Sequence, residues 1–313
     1  MSTRALVTGV TGQDGSYLAE ALAARGWEVH GLVRDAAAGV ADAVRVHVGD
    51  LADVALFDRL LPEVRPDVVF HLAGMSSVAR SWREPGRCLE VVAAATARLL
   101  EAAARDGSPP RVVLAGSSEV FGAAGSSPQS EATPLAPASP YGAAKAAVVM
   151  LGRVYRATGR HVSTALLYNH ESPRRAPSFV TRKITSGVAA VVTGRSRELR
   201  LGNLAAVRDW GWAPDYVQAM VAMADAAEPD DFVVATGEAH SVEDFVAAAF
   251  RAVGIADWRR FVVVDPGLFR PVEGTALVGD SSRLRTRLGW RPTVGFDEVV
   301  ARMVRADVAL AGR

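Results

Sequence analysis

Tyr141 and Lys145 stand four residues apart in the run YGAAK, and among the 35 lysines and arginines of this chain only Lys145 and Lys183 are lysine. Arginine is a wide, permanently charged fork, whereas lysine is a compact point charge on a flexible stem. A lysine kept against that background marks a place where arginine would not serve. At this spacing the two side chains share a helix face. The ammonium is then expected to favour the phenolate and draw the phenol pKa down from about 10. A phenol tuned this way accepts the proton of an alcohol that is losing hydride. Taken alone, the spacing is equally that of an ordinary surface pair. Upstream, the run AGSSEVFG puts Ser117 and Glu119 just after an apolar stretch at 111–115. A carboxylate there suits removal of a proton from the carbon beside a ketone; its plain alternative is a solvated loop acid.

Such a set needs a scaffold that brings a strand end and a helix together. Short apolar runs at 4–8, 29–33, 44–48, 67–72, 111–115 and 162–167 alternate with helical patterns at 16–25, 54–61, 85–104 and 141–158. This alternation is the mark of a parallel sheet covered by helices, and in open sheets of that kind ligands bind at the carboxyl ends of the strands. The second half is less regular, with helices expected at 179–192, 215–227, 242–253 and 296–309 and a strand at 232–235. The expected architecture is α/β, a Rossmann-type doubly wound parallel sheet with a smaller C-terminal substrate-binding cap. Residues 1–170 would form the dinucleotide domain, also receiving segments near 200–235, and 171–313 mainly the substrate domain.

The first apolar run opens into GVTGQDG, with Gly9, Thr11, Gly12, Gln13, Asp14 and Gly15. Glycines between a strand and a helix permit a tight turn and close backbone approach, and the helix N-terminus offers N–H groups and a positive dipole to a diphosphate. GxxGxxG is one residue wider than the GxGxxG fingerprint, and without its position it would be only a glycine turn. Where an NAD enzyme would place an acid after the second strand stands Val33, followed by Arg34. Arginine accepts a 2′-phosphate, so NADP is favoured over NAD, with Asp35 as the counter-argument. Asp50 and Leu51 after the third strand are candidates for the adenine edge, and Leu72, Ala73 and Gly74 after the fourth for the nicotinamide ribose; each is otherwise a strand-end turn.

Composition narrows the classes. Half the 313 residues are hydrophobic, 22% are charged and the formal net charge is +1, so neither nucleic acid nor an anionic membrane is an expected partner. The single Cys88 excludes an intrachain disulfide, and no CxxC or HExxH spacing suggests a metal. A strand and glycine turn within nine residues of Met1 leave no room for a signal peptide, and no apolar run approaches about 18 residues. A soluble cytoplasmic protein is expected.

Several longer runs carry a resemblance. GVTGQDGSYLAE (9–20), SSEVFG (117–122), SPYGAAK (139–145), NHESPRR (169–175), FVTRKIT (179–185), LGNLAAVRDWG (201–211), DPGLFRPVE (265–273) and LGWRP (288–292) resemble the GDP-mannose 4,6-dehydratases over nearly the full length. These are extended short-chain dehydrogenase/reductases, and NHESPRR with RDWG is the most specific part. The resemblance implies a lyase that converts GDP-mannose, or a close GDP-hexose, to a 4-keto-6-deoxy sugar by internal hydride transfer through NADP. Other outcomes in the same superfamily are a GDP-sugar epimerase and a 4-keto reductase. It implies Ser117, Glu119, Tyr141 and Lys145 as catalytic and His170 and Arg175 as cofactor contacts. Ser81, Asn169, Lys183, Arg208, Arg270 and Glu273 would hold the nucleotide-sugar. Arginine forks, a lysine and a carboxylate suit two phosphates, a ribose diol and a base. The segment after Arg34 (DAAAGVADAVRVH) is shorter than in typical members, GMSS stands at 74–77 in place of AQSH, and EVVAAATA at 90–97 lacks the family's Asp or Asn. A homodimer or homotetramer is expected.

Overall fold

The computed structural model describes residues 2–105, 107–269 and 276–312. Six strands, β1 (Arg4–Thr8), β2 (Glu28–Val33), β3 (Val44–Val48), β4 (Val68–His71), β5 (Arg111–Ala115) and β6 (Val162–Leu167), join a seventh at Asp231–Val234. The order across this all-parallel sheet is β3–β2–β1–β4–β5–β6 and then Asp231–Val234. Chain direction across the sheet reverses between β1 and β4. A crevice therefore opens at their carboxyl ends, where Gly9 and Gly74 lie.

Valine, leucine and alanine fill the central strands because both faces are covered. On β1, Ala5 and Val7 enter one apolar cluster and Leu6 another, the period-two division expected of a strand. Helix α1 (Gln13–Ala24) and the helix Ala213–Asp225 cover the first face. Leu56–Val64, Ala95–Arg105 and Pro140–Ala157 cover the second. Leu277, Leu284 and Trp290 also join the first cluster. A third cluster, with Ile184, Trp210, Phe245, Phe250, Phe296 and Met303, lies apart from the sheet and unites Val180–Val192, Val242–Arg251 and Phe296–Ala311. The sheet and this annex give the Rossmann-type class its smaller second layer. No helix among the described residues is long and apolar enough to cross a membrane.

The helix expected at 85–104 runs unbroken from Pro85 to Arg105, but with a π-helical turn, Glu90–Ala94, between Pro85–Leu89 and Ala95–Arg105. Thr96 Oγ1 donates to Val92 O at 2.6 Å, placing a side-chain donor in the widened ladder. Two helices had no clear sequence signal, Val78–Arg83 and Ser282–Leu288. They are six and seven residues long, too short for a periodic pattern.

Candidate active site

The glycine turn is shaped for a ligand that needs backbone. Gly9 has φ +76°, and a Cβ there would lie 2.9 Å from Ala73 N. A Cβ on Gly15 would lie 2.1 Å from Gly9 O, so the first turn of α1 can sit on the end of β1 only with glycine at that position. No side chain caps α1, which starts from Gly12. Thr8 Oγ1 accepts from Leu72 N and Ala73 N, both at 3.1 Å, which locks the ends of β1 and β4 together. Its own proton goes to His71 Nδ1 at 2.9 Å, leaving His71 as the neutral Nε2–H tautomer. Burial, with the Lys145 charge, pushes the His71 pKa down to about 3, in agreement. A cavity of ≈340 Å³ flanks the turn, bounded by Thr11, Gly12, Gln13 and Arg174. An uncapped helix start, a cradle that any Cβ would fill and nearby arginines fit a dinucleotide phosphate. Gly15→Ala is expected to destabilise the fold by about 1–3 kcal/mol through overpacking. Denaturant titration reads the first effect; dinucleotide binding should weaken as well, as read by reduced-nicotinamide fluorescence.

Ser117 follows β5 and is buried, with Oγ accepting from Glu119 N at 3.3 Å at the start of the short turn Ser118–Phe121. Tyr141 and Lys145 lie on Pro140–Ala157, whose first turn is capped by Ser139 Oγ accepting from Gly142 N at 3.0 Å. A Cβ on Gly142 would meet Glu119 O at 2.6 Å, so glycine beside the tyrosine lets this helix close on the Ser117–Glu119 turn. The Ser117 hydroxyl and the Glu119 charge both act on the buried Tyr141 phenol, in opposite senses. Glu119 itself is partly exposed. The four catalytic candidates thus meet at the carboxyl end of β5.

The tuning differs from expectation. Burial pushes the Tyr141 phenol up to about 12, aided by Glu119 and opposed by the Ser117 hydrogen bond and Arg175. Lys145 does not overcome this. Its Nζ donates to Ala115 O at 2.6 Å and stands 5.9 Å from the Tyr141 ring centroid. Burial likewise brings the Lys145 pKa down to about 8 from 10.5. Folded Lys145 therefore releases its proton near pH 8, while an unfolded lysine holds it to 10.5. Between these values the unfolded state binds more protons, so this residue's contribution to stability rises with pH. Below that window the buried ammonium is a full cost. Lys145→Met removes the cost and loses one hydrogen bond, for a net gain on the order of 1–2 kcal/mol near neutral pH. That gain should fade as the medium becomes alkaline. Thermal denaturation at neutral and alkaline pH checks it, and a variant no more stable at neutral pH contradicts it.

The remaining expected residues divide. Ser81 is fully buried; its Oγ donates to Val78 O at 2.7 Å and accepts from Tyr141 N at 3.1 Å. Both of these contacts lie within the protein, and the hydroxyl fixes the Tyr141 backbone. His170 reaches the glycine turn, its Nε2 lying 2.9 Å from Asp14 Oδ2, and the Arg175 charge acts on the same carboxylate. Arg175 also stacks on Phe179 at 3.7 Å and pairs with Glu171 at 3.3 Å. Arg34 is exposed just past β2. Exposed Asp50 turns back to Ala52 N at 2.8 Å and pairs with Arg87 at 3.3 Å, whereas the Leu51 side chain is in the core. Leu72 and Ala73 are partly exposed, and Gly74, with φ +150°, is open to solvent. Asn169 pairs in register with Trp210, two residues beyond the buried Arg208, whose guanidinium donates to Val207 O at 2.7 Å. Lys183 is partly exposed on Val180–Val192. Arg270 and Glu273 lie outside the described residues. Sequence reading passed over Arg174, which lines the cavity, and His71, whose buried Nε2 has no hydrogen-bond partner among the described residues.

A family model described as GDP-mannose 4,6 dehydratase matches residues 6–303. This chain belongs to the GDP-mannose 4,6-dehydratase family. It is 44% identical over 329 residues to GDP-mannose 4,6 dehydratase 1 of Arabidopsis thaliana, covering 99% of this chain and 91% of that one. The Homo sapiens GDP-mannose 4,6 dehydratase is 39% identical over 340 residues, covering 98% and 91% of the two chains. Among solved structures, dTDP-glucose 4,6-dehydratase from Streptomyces venezuelae with NAD bound superposes with a TM-score of 0.85 at 27% identity, covering 99% of this chain and 98% of that one. A GDP-mannose 4,6-dehydratase is a hydro-lyase, and the family places this chain among enzymes. It does so on the sheet topology described above.

Proposed function

We propose that this chain converts GDP-mannose to GDP-4-keto-6-deoxymannose, with NADP held at the glycine turn and the nucleotide-sugar held by the annex. The observation that carries the reading is the placement of Glu119: a partly exposed carboxylate on the turn that Ser117 opens at the carboxyl end of β5, with its charge acting on the Tyr141 phenol. Alcohol oxidation alone needs no such acid. Elimination of water next to a ketone does.

Tyr141 would take the C4 hydroxyl proton, with Ser117 holding the phenol in line. Once C4 is a ketone, C5–H is acidic; Glu119 removes that proton and returns one to the departing C6 hydroxyl. Asn169, Lys183 and Arg208 would orient the diphosphate and sugar so that C4 and C6 face one side, and Arg175 would lie toward the cofactor. Arg270 and Glu273 belong to the same set by their motif. An oxidised nicotinamide dinucleotide, when bound, supplies a reversible hydride acceptor and a cationic ring that favours the phenolate. Much of the rate then comes from fixed position.

NADP is preferred over NAD because Arg34 is exposed past β2, while the Asp35 carboxylate folds back to accept from Ala37 N at 2.9 Å. We extend the proposal to a cytoplasmic homodimer or homotetramer. Exposed Met150 and Val154 on Pro140–Ala157 support self-association. The test is incubation of purified protein with GDP-mannose and catalytic NADP⁺, followed by product mass. A product lighter by one water, with no net cofactor consumption, is expected. Unchanged mass would indicate epimerisation, and a product lighter by two hydrogens with the NADP⁺ reduced to exhaustion a simple oxidoreductase; either result overturns the reading.

A further inference from the structure

The glycine motif marks Gln13 and Asp14 as cofactor contacts, yet their side chains are committed within the protein. Gln13 Nε2 donates to His170 O at 3.0 Å and to Asp14 Oδ1 at 3.1 Å, and Gln13 Oε1 accepts from Ser172 Oγ at 2.8 Å. Asp14 Oδ2 lies 2.9 Å from His170 Nε2. A carboxylate aimed at a diphosphate would oppose binding by like charge, so this commitment has a physical reason. The imidazole is the informative group. Its Nδ1 is 2.7 Å from Tyr168 O, while its Nε2 faces the Asp14 carboxylate. A carbonyl and a carboxylate only accept, so both ring nitrogens must donate, and a ring that donates twice is an imidazolium.

We propose that Asp14 and Gln13 are positioning residues rather than cofactor contacts, and that with His170 as a fixed imidazolium they strap the start of α1 to strand Asn169–Glu171. The strap sets Asn169 and Arg175 relative to the glycine turn; this role in turnover rests on the dehydratase reading above. The charged and titratable groups facing the ring are Asp14 from α1, Arg175 and Glu171 from its own segment, and Tyr216, stacked on it at 4.6 Å from Ala213–Asp225. Burial and Arg175 push the ring pKa down; the charge and hydrogen bond of Asp14 more than offset them and leave it raised. Asp14 is held low by the same partnership, against its own burial. Without Asp14, burial and Arg175 are opposed chiefly by the Tyr168 carbonyl bond, and the ring should be neutral at neutral pH.

The decisive measurement is the protonation state of the ring, read from histidine nitrogen shifts of the ¹⁵N-labelled full-length protein. Wild-type His170 should show two protonated nitrogens at neutral pH, and Asp14→Asn only one. A neutral ring in the wild type overturns the proposal without touching the dehydratase reading, and it needs no variant to fold. In turnover, Asp14→Asn should lower kcat/KM for GDP-mannose on the order of tenfold. The loss should deepen from mildly acidic to mildly alkaline pH as the ring loses its proton. Combined with His170→Gln, Asp14→Asn should add no further loss, because it acts through that ring. Additive losses would overturn the proposal. If wild-type protein does not dehydrate GDP-mannose at all, the function proposed above fails, while the nitrogen shifts still decide the strap.

Discussion

Tyr141→Phe is expected to lower the rate of 4-keto-6-deoxy product formation by roughly 10³-fold, within the range a positioned acid–base group contributes. The substitution removes one oxygen and leaves the ring in place among buried neighbours, with Ser81 Oγ still accepting from the backbone N–H at 3.1 Å. Stability should therefore stay close to wild type, and nucleotide-sugar binding should persist. What disappears is the acceptor for the C4 hydroxyl proton. The phenol pKa of about 12 sharpens the expectation. In the protein alone the phenolate is scarce at neutral pH, so the first step depends on whatever favours it in the complex. The kcat/KM of the wild type should accordingly rise with pH across the neutral range, and that rise should be missing from the residual activity of the variant. Rapid-quench product analysis and a pH series check both parts. A variant retaining a tenth of the wild-type rate would give the proton to another acceptor.

The sequence made the dinucleotide half of the molecule readable for a simple reason. Strands β1, β3, β5 and β6 begin and end where the apolar runs do: β1, β5 and β6 are buried strands of the covered sheet, and β3, at its edge, is ended by Gly49. The glycines were informative for the same local reason: a Cβ at Gly9 or Gly15 meets backbone. The Ser117, Glu119, Tyr141 and Lys145 set was visible as spacing, and the fold brings those four to one strand end. Its electrostatics were not visible. Proximity along a helix suggested that Lys145 would depress the phenol, but burial outweighs that influence, and burial belongs to the assembled core. Ser81 shows the same limit. Its role depends on a contact with Tyr141 across 60 residues of sequence, which no local pattern encodes. The Asp14–His170 strap spans 156 residues. The annex was harder still to read. Its strands, such as Asn169–Glu171, Val207–Arg208 and Val262–Val264, are two or three residues long and leave no alternation.

Glu119→Gln separates the two halves of the proposed chemistry. The amide keeps the size of the acid but cannot take a proton from C5, so loss of water should slow by roughly 10²–10⁴-fold. Oxidation at C4 should survive, because Ser117, Tyr141 and Lys145 are untouched. It should even gain at lower pH: the Glu119 charge is one of the influences that raise the Tyr141 pKa, and removing it makes the phenol easier to ionise. A single-turnover mixture with GDP-mannose and NADP⁺ should then accumulate reduced cofactor and an undehydrated 4-keto sugar, where wild type shows only a transient. In deuterated water, wild type should place deuterium at C5 of the product, and the variant should not label its 4-keto sugar there. Because Glu119 is partly exposed, the fold should tolerate the change. Full-rate formation of the 4-keto-6-deoxy sugar would show that another base serves C5. Loss of cofactor reduction together with dehydration would place Glu119 in the first step instead. The first outcome breaks the assignment of the carboxylate, and the second breaks the division of labour between it and the tyrosine.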